Sequence, residues 1–304
     1  MAEISVNNFS HAYGSVKAVS EFSFEVEKGI SYALVGPDGA GKTTIIRALC
    51  NLLTPDAGEI RVDGIDIARD FDRVKTKLGY MPQTFSLYPD LSVEENLTFY
   101  GGIYGVTGAR FARKRDTLYE FSRLKPFADR RARDLSGGMK QKLALSCALI
   151  HDPELLILDE PTTGVDPLSR RQLWDILAEF KKQGVTIIVS TPYMDEVARA
   201  DRACFVFRGG KLAEGTPEEL TRLYRGEIFY IDRLPTTPLL EKLNLIEHLE
   251  ARRFGTGLHL YFDTGHHPRD VSVGITQAGL RVDELTPVSP DLEDSFIQLM
   301  QGQQ

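Results

Sequence analysis

The chain has 304 residues, 42% of them hydrophobic, which is enough to bury the core of one large domain and a smaller one. Its formal charge of −7, from 36 basic and 43 acidic side chains, argues against broad electrostatic binding of nucleic acid. The cysteines Cys50, Cys147 and Cys204 stand apart in apolar surroundings, which favours buried thiols over a disulfide or a metal site. No apolar run approaches the roughly 20 residues of a membrane span, and the N-terminal sequence lacks a secretory signal pattern.

The first 30 residues predict antiparallel strands around turns, in the runs ISVNNFSHAYGS and VSEFSFEVEKG. Beyond them, short apolar runs alternate with amphipathic helical patterns. Strands are predicted at 30–36, 155–160 and 185–190, and helices at 42–53 and 167–184. This alternation predicts an α/β fold with a largely parallel sheet.

The segment GPDGAGKT, Gly36 to Thr43, matches the pattern GxxxxGK[ST] between a predicted strand and a predicted helix. Its glycines let backbone N–H groups surround a phosphate, Lys42 can reach the β and γ phosphates, and Thr43 can bind Mg²⁺. A chance match in a chain of this length has odds of roughly one in a hundred. The predicted nucleotide-binding segment comprises Gly36, Pro37, Asp38, Gly39, Ala40, Gly41, Lys42, Thr43 and Thr44.

The run LLILDE places Asp159 at the end of a buried strand, with Glu160 beside it. Asp159 suits Mg²⁺, and Glu160 suits the polarisation of an attacking water. The pair follows LSGGMKQK at 135–142 and precedes PTTGVD at 161–166. With these motifs in this order, the chain resembles the ATP-binding subunits of ABC transporters over about residues 3–222. The resemblance implies an ABC cassette of the P-loop NTPase fold, with a mixed sheet, antiparallel N-terminal strands and a helical subdomain.

The resemblance also implies roles for residues outside the P-loop. Tyr13 matches the aromatic residue that stacks on adenine, a contact that needs only a flat ring. Gln83, in GYMPQ, matches the glutamine that senses Mg²⁺ and the γ-phosphate and assists catalysis by Lys42 and Glu160. Asp166 matches the loop aspartate that crosses between subunits.

The signature segment LSGGMKQK places Ser136, Gly137 and Gly138 at a predicted helix N-terminus, where an anion can bind. In the family, this segment binds the γ-phosphate held by the P-loop of the other subunit. The chain has one P-loop and one signature segment, so we expect a head-to-tail dimer around ATP and Mg²⁺, formed with a second copy or with a related cassette.

The order of motifs assigns 1–224 to the cassette and 84–134 to its helical subdomain, in which Ser92 and Glu95 predict a capping box. Aromatic residues are concentrated near Gln83. Phe85, Leu87 and Tyr88 either belong to the core or form a groove for a coupling helix of a membrane subunit, docked near 83–104. Between 110 and 133, nine basic residues face three acidic ones, which indicates a solvated helical face or attraction to anionic lipid headgroups.

Residues 225–304 predict a small α+β domain in the order βαββαβ, an arrangement found in ferredoxin-like folds, followed by a helix from about Asp291 to Gln301. The segment SPDLEDSFIQLM is similar to the C-terminal end common in the exporter branch that serves drugs, polysaccharides and lipids. His266 and His267 fall in a predicted turn and are expected to be turn residues and not metal ligands.

The resemblance implies an ATPase subunit of an export-type transporter, cytoplasmic and held at the inner face of the cell membrane by its membrane partner. One alternative is a soluble ABC protein of DNA repair or ribosomes, but such proteins usually carry paired cassettes, coiled-coil insertions or basic tails. The other alternative is a regulatory ATP-binding module with weak hydrolysis.

Position 192 keeps the weak-hydrolysis alternative open. In VSTPYMDEV, Thr191 predicts a helix cap and Pro192 the first helical position. The resemblance implies a histidine at 192, with an imidazole that contacts the γ-phosphate. Loss of one such donor costs about 3 kcal/mol, or roughly 10²-fold in rate. Either Tyr193 replaces the imidazole, or the chain works beside a partner that supplies the faster site.

Overall fold

The computed structural model describes residues 2–303. The chain divides into two compact units between Pro217 and Glu218. The sequence predicts that the first domain ends after residue 224, which is a few residues beyond the observed division. That 84–134 forms a separate helical subdomain stays a prediction. Among the helices of residues 2–303, none combines the length and the apolar character that crossing a membrane requires.

Within the described residues, ten strands build the two sheets of the first unit. They are β1 (Ala2–Tyr13), β2 (Val16–Glu27), β3 (Ser31–Val35), β4 (Ala57–Val62), β5 (Ile65–Asp66), β6 (Leu78–Met81), β7 (Leu155–Asp159), β8 (Thr186–Thr191), β9 (Arg202–Phe207) and β10 (Gly210–Gly215). One sheet is antiparallel, in the order β2-β1-β4-β5. The other has the order β10-β9-β3-β8-β7-β6 and is parallel except for β10. The predicted combination of a largely parallel sheet with antiparallel N-terminal strands is confirmed.

Helices of the first unit follow or cover these strands. They are α1 (Lys42–Leu49), α2 (Asp72–Lys75), α3 (Val93–Ile103), α4 (Gly108–Ser122), α5 (Gly137–Leu149), α6 (Pro167–Lys182) and α7 (Met194–Val197), while α8 (Pro217–Thr221) contains the point of division. The capping box predicted for α3 is present, because Ser92 Oγ accepts from Glu95 N at 3.1 Å and the Glu95 carboxylate accepts from Ser92 N at 2.7 Å. In α6, Trp174 is buried in the apolar cluster that this helix forms with α5 and the sheet.

The central strands position the site. Every residue of β3, β7 and β8 is buried, as expected for parallel strands covered on both faces. Because the three strands are parallel neighbours, their carboxyl ends meet at one edge of the sheet. The P-loop follows β3, the acidic pair ends β7, and the segment around Pro192 follows β8. Such an edge is the usual position of ligand sites in open α/β sheets.

Two predicted boundaries are wrong. The helix expected over 42–53 ends at Leu49, and Cys50 is its C-cap. The helix expected to begin at Pro192 begins at Met194, so Thr191 is not its cap. Thr191 remains in β8 because it pairs with Val35 of β3, and strand pairing overrides the local capping preference.

The second unit contains β11 (Glu227–Ile231), α9 (Thr237–Leu243), β12 (Leu249–Phe254), β13 (Gly257–Phe262), α10 (Ser272–Gln277), β14 (Thr286–Val288) and α11 (Leu292–Gln301). The order βαββαβ with a final helix is therefore present. The sheet has the order β12-β13-β11-β14 and is antiparallel, so β13 lies between the two strands that α9 connects. This split βαβ arrangement supports the ferredoxin-like assignment, which stays a prediction.

Candidate functional site

The P-loop lies between β3 and α1, and close backbone contacts require two of its glycines. A Cβ at Gly36 would lie 2.1 Å from the carbonyl oxygen of Val206. Gly41 has φ +106°, and a Cβ there would lie 2.7 Å from the carbonyl oxygen of Ala18. The loop is thereby held tightly at the N-terminus of α1, where backbone N–H groups and the helix dipole favour a phosphate.

Lys42 joins the P-loop to the end of β7. Its ammonium group is buried and donates to the carbonyl oxygens of Gly36 at 2.8 Å and Pro37 at 3.0 Å. The same nitrogen lies 3.2 Å from Glu160 Oε1. Lys42 therefore holds the loop and neutralises a buried carboxylate at the same time.

Asp159 lies beside the first turn of α1. Thr43 Oγ1 donates to Asp159 Oδ1 at 3.2 Å, and Ser190 Oγ donates to the same oxygen at 2.6 Å. Burial raises the pKa of the Asp159 carboxyl, and these two hydrogen bonds offset part of that effect. Mg²⁺ is usually held by one or two carboxylates together with substrate phosphates, so these oxygen atoms fit it. Residues 2–303 contain no cluster of three or more His, Cys, Asp or Glu residues that could hold a metal on its own.

Glu160 has φ +48°, in the left-handed region that side chains other than glycine rarely adopt. Its Oε2 accepts from Gln83 Nε2 at 2.8 Å and from Thr163 Oγ1 at 3.2 Å. Its backbone N–H donates to Ser190 Oγ at 2.9 Å. The structure thus brings Lys42, Gln83 and Glu160 together.

Two contributors were missed by sequence reasoning. Ser190 contacts Asp159 through its side chain and also holds the backbone of Glu160, while Thr163 holds the Glu160 carboxylate. A usable signal was the presence of hydroxyl residues in VST and PTT, immediately beside segments already assigned to the site.

The remaining predicted residues lie at the surface or at helix starts. Tyr13, at the end of β1, is 47% exposed and can present its ring to a flat ligand. Ser136 caps α5, and a Cβ at Gly138 would lie 2.5 Å from Ser169 Oγ. Asp166 caps α6 by accepting from Ser169 N at 2.9 Å, and this bonding lowers the pKa of the Asp166 carboxyl. Within residues 2–303, none of these groups forms a hydrogen bond or ion pair with Lys42 or Glu160.

A groove lies beside the acidic site, with a cavity of about 420 Å³. Its lining includes Phe71, Met81, Leu87, Tyr100, Tyr104 and Ala148. Of the three candidates near Gln83, Leu87 is buried, whereas Phe85 and Tyr88 are 39% and 45% exposed. Leu87 thus belongs to the core and lines the groove, and the other two add exposed aromatic surface nearby.

Ion pairs involve four of the nine basic residues at 110–133, namely Arg110, Lys114, Arg115 and Arg133. Arg110 and Lys114 pair with Asp152, and Arg115 pairs with Glu94. These pairs favour an ordinary solvated helical face, while attraction to lipid headgroups stays a hypothesis.

The remaining residues singled out in the sequence are the three cysteines and the two histidines of the predicted turn, His266 and His267. Cys50, Cys147 and Cys204 are all buried and unlinked, and burial raises the pKa of each thiol. The backbone N–H of His266 donates to Asp263 O at 2.9 Å and closes a turn, and the His266 ring stacks on that of His248 with centroids 3.8 Å apart.

Comparison with known proteins places these motifs in a family. Residues 19–163 match the profile of the family described as ABC transporter. The probable multidrug ABC transporter ATP-binding protein YbhF of Escherichia coli (strain K12) is 39% identical over 94% of this chain, which spans 49% of that protein. The chain thus spans about half the length of this relative. Nod factor export ATP-binding protein I of Rhizobium etli is 35% identical over 98% of this chain and 93% of its own length.

Solved structures agree with this assignment. The ATP-binding subunit of an ABC transporter superposes on 72% of this chain and 92% of its own, with a TM-score of 0.66 and 31% identity. The ADP conformation of another ABC transporter cassette covers 72% of this chain and 92% of its own, with a TM-score of 0.65 and 26% identity. The P-loop, the acidic pair and the signature helix stand in the fold that these proteins share, and the chain belongs to the ABC transporter family as an ATP-binding cassette.

Proposed function

We propose that this chain is the ATP-hydrolysing subunit of an ABC exporter, in which two cassettes close head to tail on two ATP and two Mg²⁺. The observation that carries this proposal is the buried contact of Lys42 with Glu160, which joins the phosphate-binding loop to a carboxylate already held by Gln83. A cation for phosphate and a base for water are two of the groups that ATP hydrolysis requires.

Each group has a distinct role in the proposed reaction. The P-loop N–H groups and Lys42 bind the β and γ phosphates, and Tyr13 stacks on the adenine. Bound Mg²⁺ would neutralise charge on the phosphates, with Thr43, Asp159 and Gln83 near it. Glu160 accepts a hydrogen bond from the attacking water and orients it toward the γ-phosphate.

We infer a dimer because the signature segment and the P-loop of one chain are not joined by polar contacts. Within residues 2–303, no hydrogen bond or ion pair links Ser136, Gly137, Gly138 or Asp166 to Lys42 or Glu160. The proposal assigns them to the ATP held by the second cassette, with the helix N-terminus of α5 directed at its γ-phosphate. The partner cassette is either a second copy or a related chain.

Export and membrane attachment rest on the groove and on the relatives. The apolar groove lined by Met81, Leu87 and Tyr100 has the character of a helix-binding surface, so we assign it to a short helix of an integral membrane subunit docked near 83–104. The names of the relatives include multidrug transport and Nod factor export. The chain would then act from the cytoplasm, peripheral to the inner face of the membrane.

A second candidate function, a cassette with weak hydrolysis and a regulatory role, is favoured by Pro192 alone. Proline has no side-chain donor for the γ-phosphate. The other groups that the proposal requires, Glu160, Gln83 and Lys42, are in contact with one another. The missing donor at Pro192 and these contacts together support slow hydrolysis.

The test is ATP turnover by the purified chain and its Lys42→Ala variant. We expect turnover by the wild type and none by the variant, because Lys42 binds the transferred phosphate. Lys28→Ala is the matched control, since Lys28 is an exposed partner of Glu154 far from the motifs. Equal turnover by wild type and Lys42→Ala would overturn the proposal.

A further inference from the structure

Arg170 makes three kinds of contact with the segment that follows β8. Its guanidinium lies over the Tyr193 ring, 3.9 Å from the ring centroid. Its Nε donates to Glu196 Oε1 at 3.1 Å, and its Nη2 donates to Asp195 at 3.1 Å. Glu196 is 3% exposed, so this ion pair is largely removed from water on one side. One side chain thus holds both the start of α7 and the residue next to Pro192.

Arg170 lies on α6, the helix that begins directly after Asp166. Asp166 caps α6, and Arg170 N donates to the Asp166 carbonyl oxygen at 2.9 Å. Arg170 therefore lies in the first turn of α6, and its side chain crosses to the other segment.

Glu196 continues the connection toward the nucleotide site. Its Oε2 accepts from Thr191 Oγ1 at 2.6 Å, and Thr191 O accepts from Gly36 N at 3.3 Å. The residue before Thr191, Ser190, contacts Asp159 and the backbone of Glu160. The end of β8 thus touches the P-loop, the Asp159 carboxylate and the backbone of Glu160, and Arg170 secures the chain immediately beyond it.

We propose that Arg170 is a positioning residue for ATP hydrolysis: it fixes the Pro192 segment against α6, so that the end of β8 keeps the P-loop and the acidic pair in register. This inference rests on the proposed function. Pro192 cannot anchor itself to phosphate through a side chain, and the structure supplies an anchor from α6 instead. A displacement of about 1 Å in such a site can cost up to 10²-fold in rate.

The contacts require an arginine and not merely a positive charge. The planar guanidinium can stack on an aromatic ring and donate to two carboxylates in fixed directions. A lysine ammonium retains the charge but not the planar fork, so Arg170→Lys separates geometry from electrostatics.

The test compares steady-state ATP hydrolysis by the full chain and by Arg170→Lys. We expect kcat to fall about 10-fold while KM for ATP changes less than about twofold, because the groups that bind phosphate remain. Hydrogen exchange of the backbone at 191–197 should rise in the same variant. The matched control is Arg199→Lys, which alters an exposed ion pair with Asp175 close to α7 and should leave kcat unchanged.

Thermal unfolding separates positioning from a purely structural role. If Arg170→Lys unfolds at the wild-type temperature but loses kcat, the inference is supported. The double variant Arg170→Gln with Glu196→Gln removes both charges, so no buried carboxylate is left unpaired, and it should also be folded and slow. Wild-type kcat in a folded Arg170→Lys protein would overturn the inference and leave the ATPase proposal standing. A wild-type chain that binds ATP without turnover would overturn both.

Discussion

Glu160 shares its two carboxylate oxygens among a lysine, an amide and a hydroxyl. Replacement by glutamine keeps the size of the side chain and removes the charge that polarises water. We expect Glu160→Gln to bind ATP, to stop hydrolysis and to accumulate as a dimer with ATP, since each signature segment would remain on its partner's nucleotide.

Light scattering with saturating ATP and Mg²⁺ measures this accumulation. Glu154→Gln provides the control, because Glu154 is a half-exposed partner of Lys28 and Lys77. A Glu160→Gln protein that stays monomeric with bound ATP would contradict the composite site.

Pro192 leads to a second prediction at the level of single residues. A histidine there restores a donor beside the γ-phosphate, so we expect Pro192→His to hydrolyse ATP faster than the wild type, by up to roughly 10²-fold. The companion variant Tyr193→Phe keeps the ring that Arg170 covers and removes only the hydroxyl. ATPase rates at saturating ATP·Mg²⁺ show whether a donor is missing at position 192 or is supplied by the Tyr193 hydroxyl.

A slower Tyr193→Phe with an unchanged Pro192→His would assign the missing donor to the phenol. Equal rates in all three proteins would show that this position does not limit turnover.

The sequence predicts the residues of the site better than their contacts. Lys42 and Thr43 are identifiable because the P-loop is a local pattern of adjacent residues. The hydrogen bond from Gln83 to Glu160 joins positions 77 residues apart, so no local pattern indicates it. Ser190 was missed because a hydroxyl residue in a strand has no local signature, and its role arises from the pairing of β7 with β8.

At the scale of elements, buried parallel strands are predictable because uninterrupted apolar runs such as LLIL and IIV need cover on both faces. The transition from β8 to α7 was less predictable. Thr191 and Pro192 have strong helix-start preferences, but the register with β3 keeps Thr191 in the strand. Backbone pairing with a central strand thus overrides the local preference of these residues for a helix start.

A buried histidine that follows α5 and contacts β6 leads to a prediction of how stability depends on pH. His151, two residues beyond α5, is 7% exposed, lies with its Nε2 3.2 Å from Leu78 O and stacks on Tyr104 with ring centroids 3.7 Å apart. Burial lowers the pKa of His151, and the hydrogen bond to Leu78 offsets only part of that effect. The unfolded chain therefore takes up the proton first as pH falls below about 6.5, and stability is lost in that range.

We expect the wild-type melting temperature to fall more between pH 7.5 and pH 5.5 than that of His151→Gln, which keeps an N–H donor but does not titrate. His248→Gln, at an exposed histidine of the second unit, is the control. Calorimetry at several pH values measures the difference, and parallel curves for wild type and His151→Gln would refute the assignment.

At the scale of the whole molecule, the phosphate-binding motifs all precede the division between Pro217 and Glu218. Residues after the division have partners within their own unit. Ser295 Oγ donates to Thr221 O at 3.0 Å, and Gln298 exchanges two hydrogen bonds with the backbone of Arg225. A cut after residue 224 would remove Ser295 and break its hydrogen bond to Thr221, whereas a cut after Pro217 coincides with the division between the two units.

We expect the chain ending at Pro217 to fold and to bind ATP within about threefold of the full-length affinity, a difference below 1 kcal/mol. Fluorescence titration with an ATP analogue measures the affinity, and circular dichroism verifies the fold. Lost binding by a folded truncation would show that the C-terminal unit contributes to the nucleotide site.

The left-handed backbone of Glu160 has a consequence for which variants a genetic selection can recover. Successive side chains of a strand point to opposite faces, yet Asp159 and Glu160 contact the adjacent residues Thr43 and Lys42. The reversal at Glu160 makes this possible at a strain on the order of 1–3 kcal/mol. Asparagine or glycine would relieve that strain, which offsets part of the cost of leaving Lys42 unpaired, and would abolish the base, giving inactive proteins that remain more abundant in the cell than β-branched variants. Valine or isoleucine would add steric conflict to the loss of chemistry, and these alleles should be depleted by degradation before their activity is ever assayed.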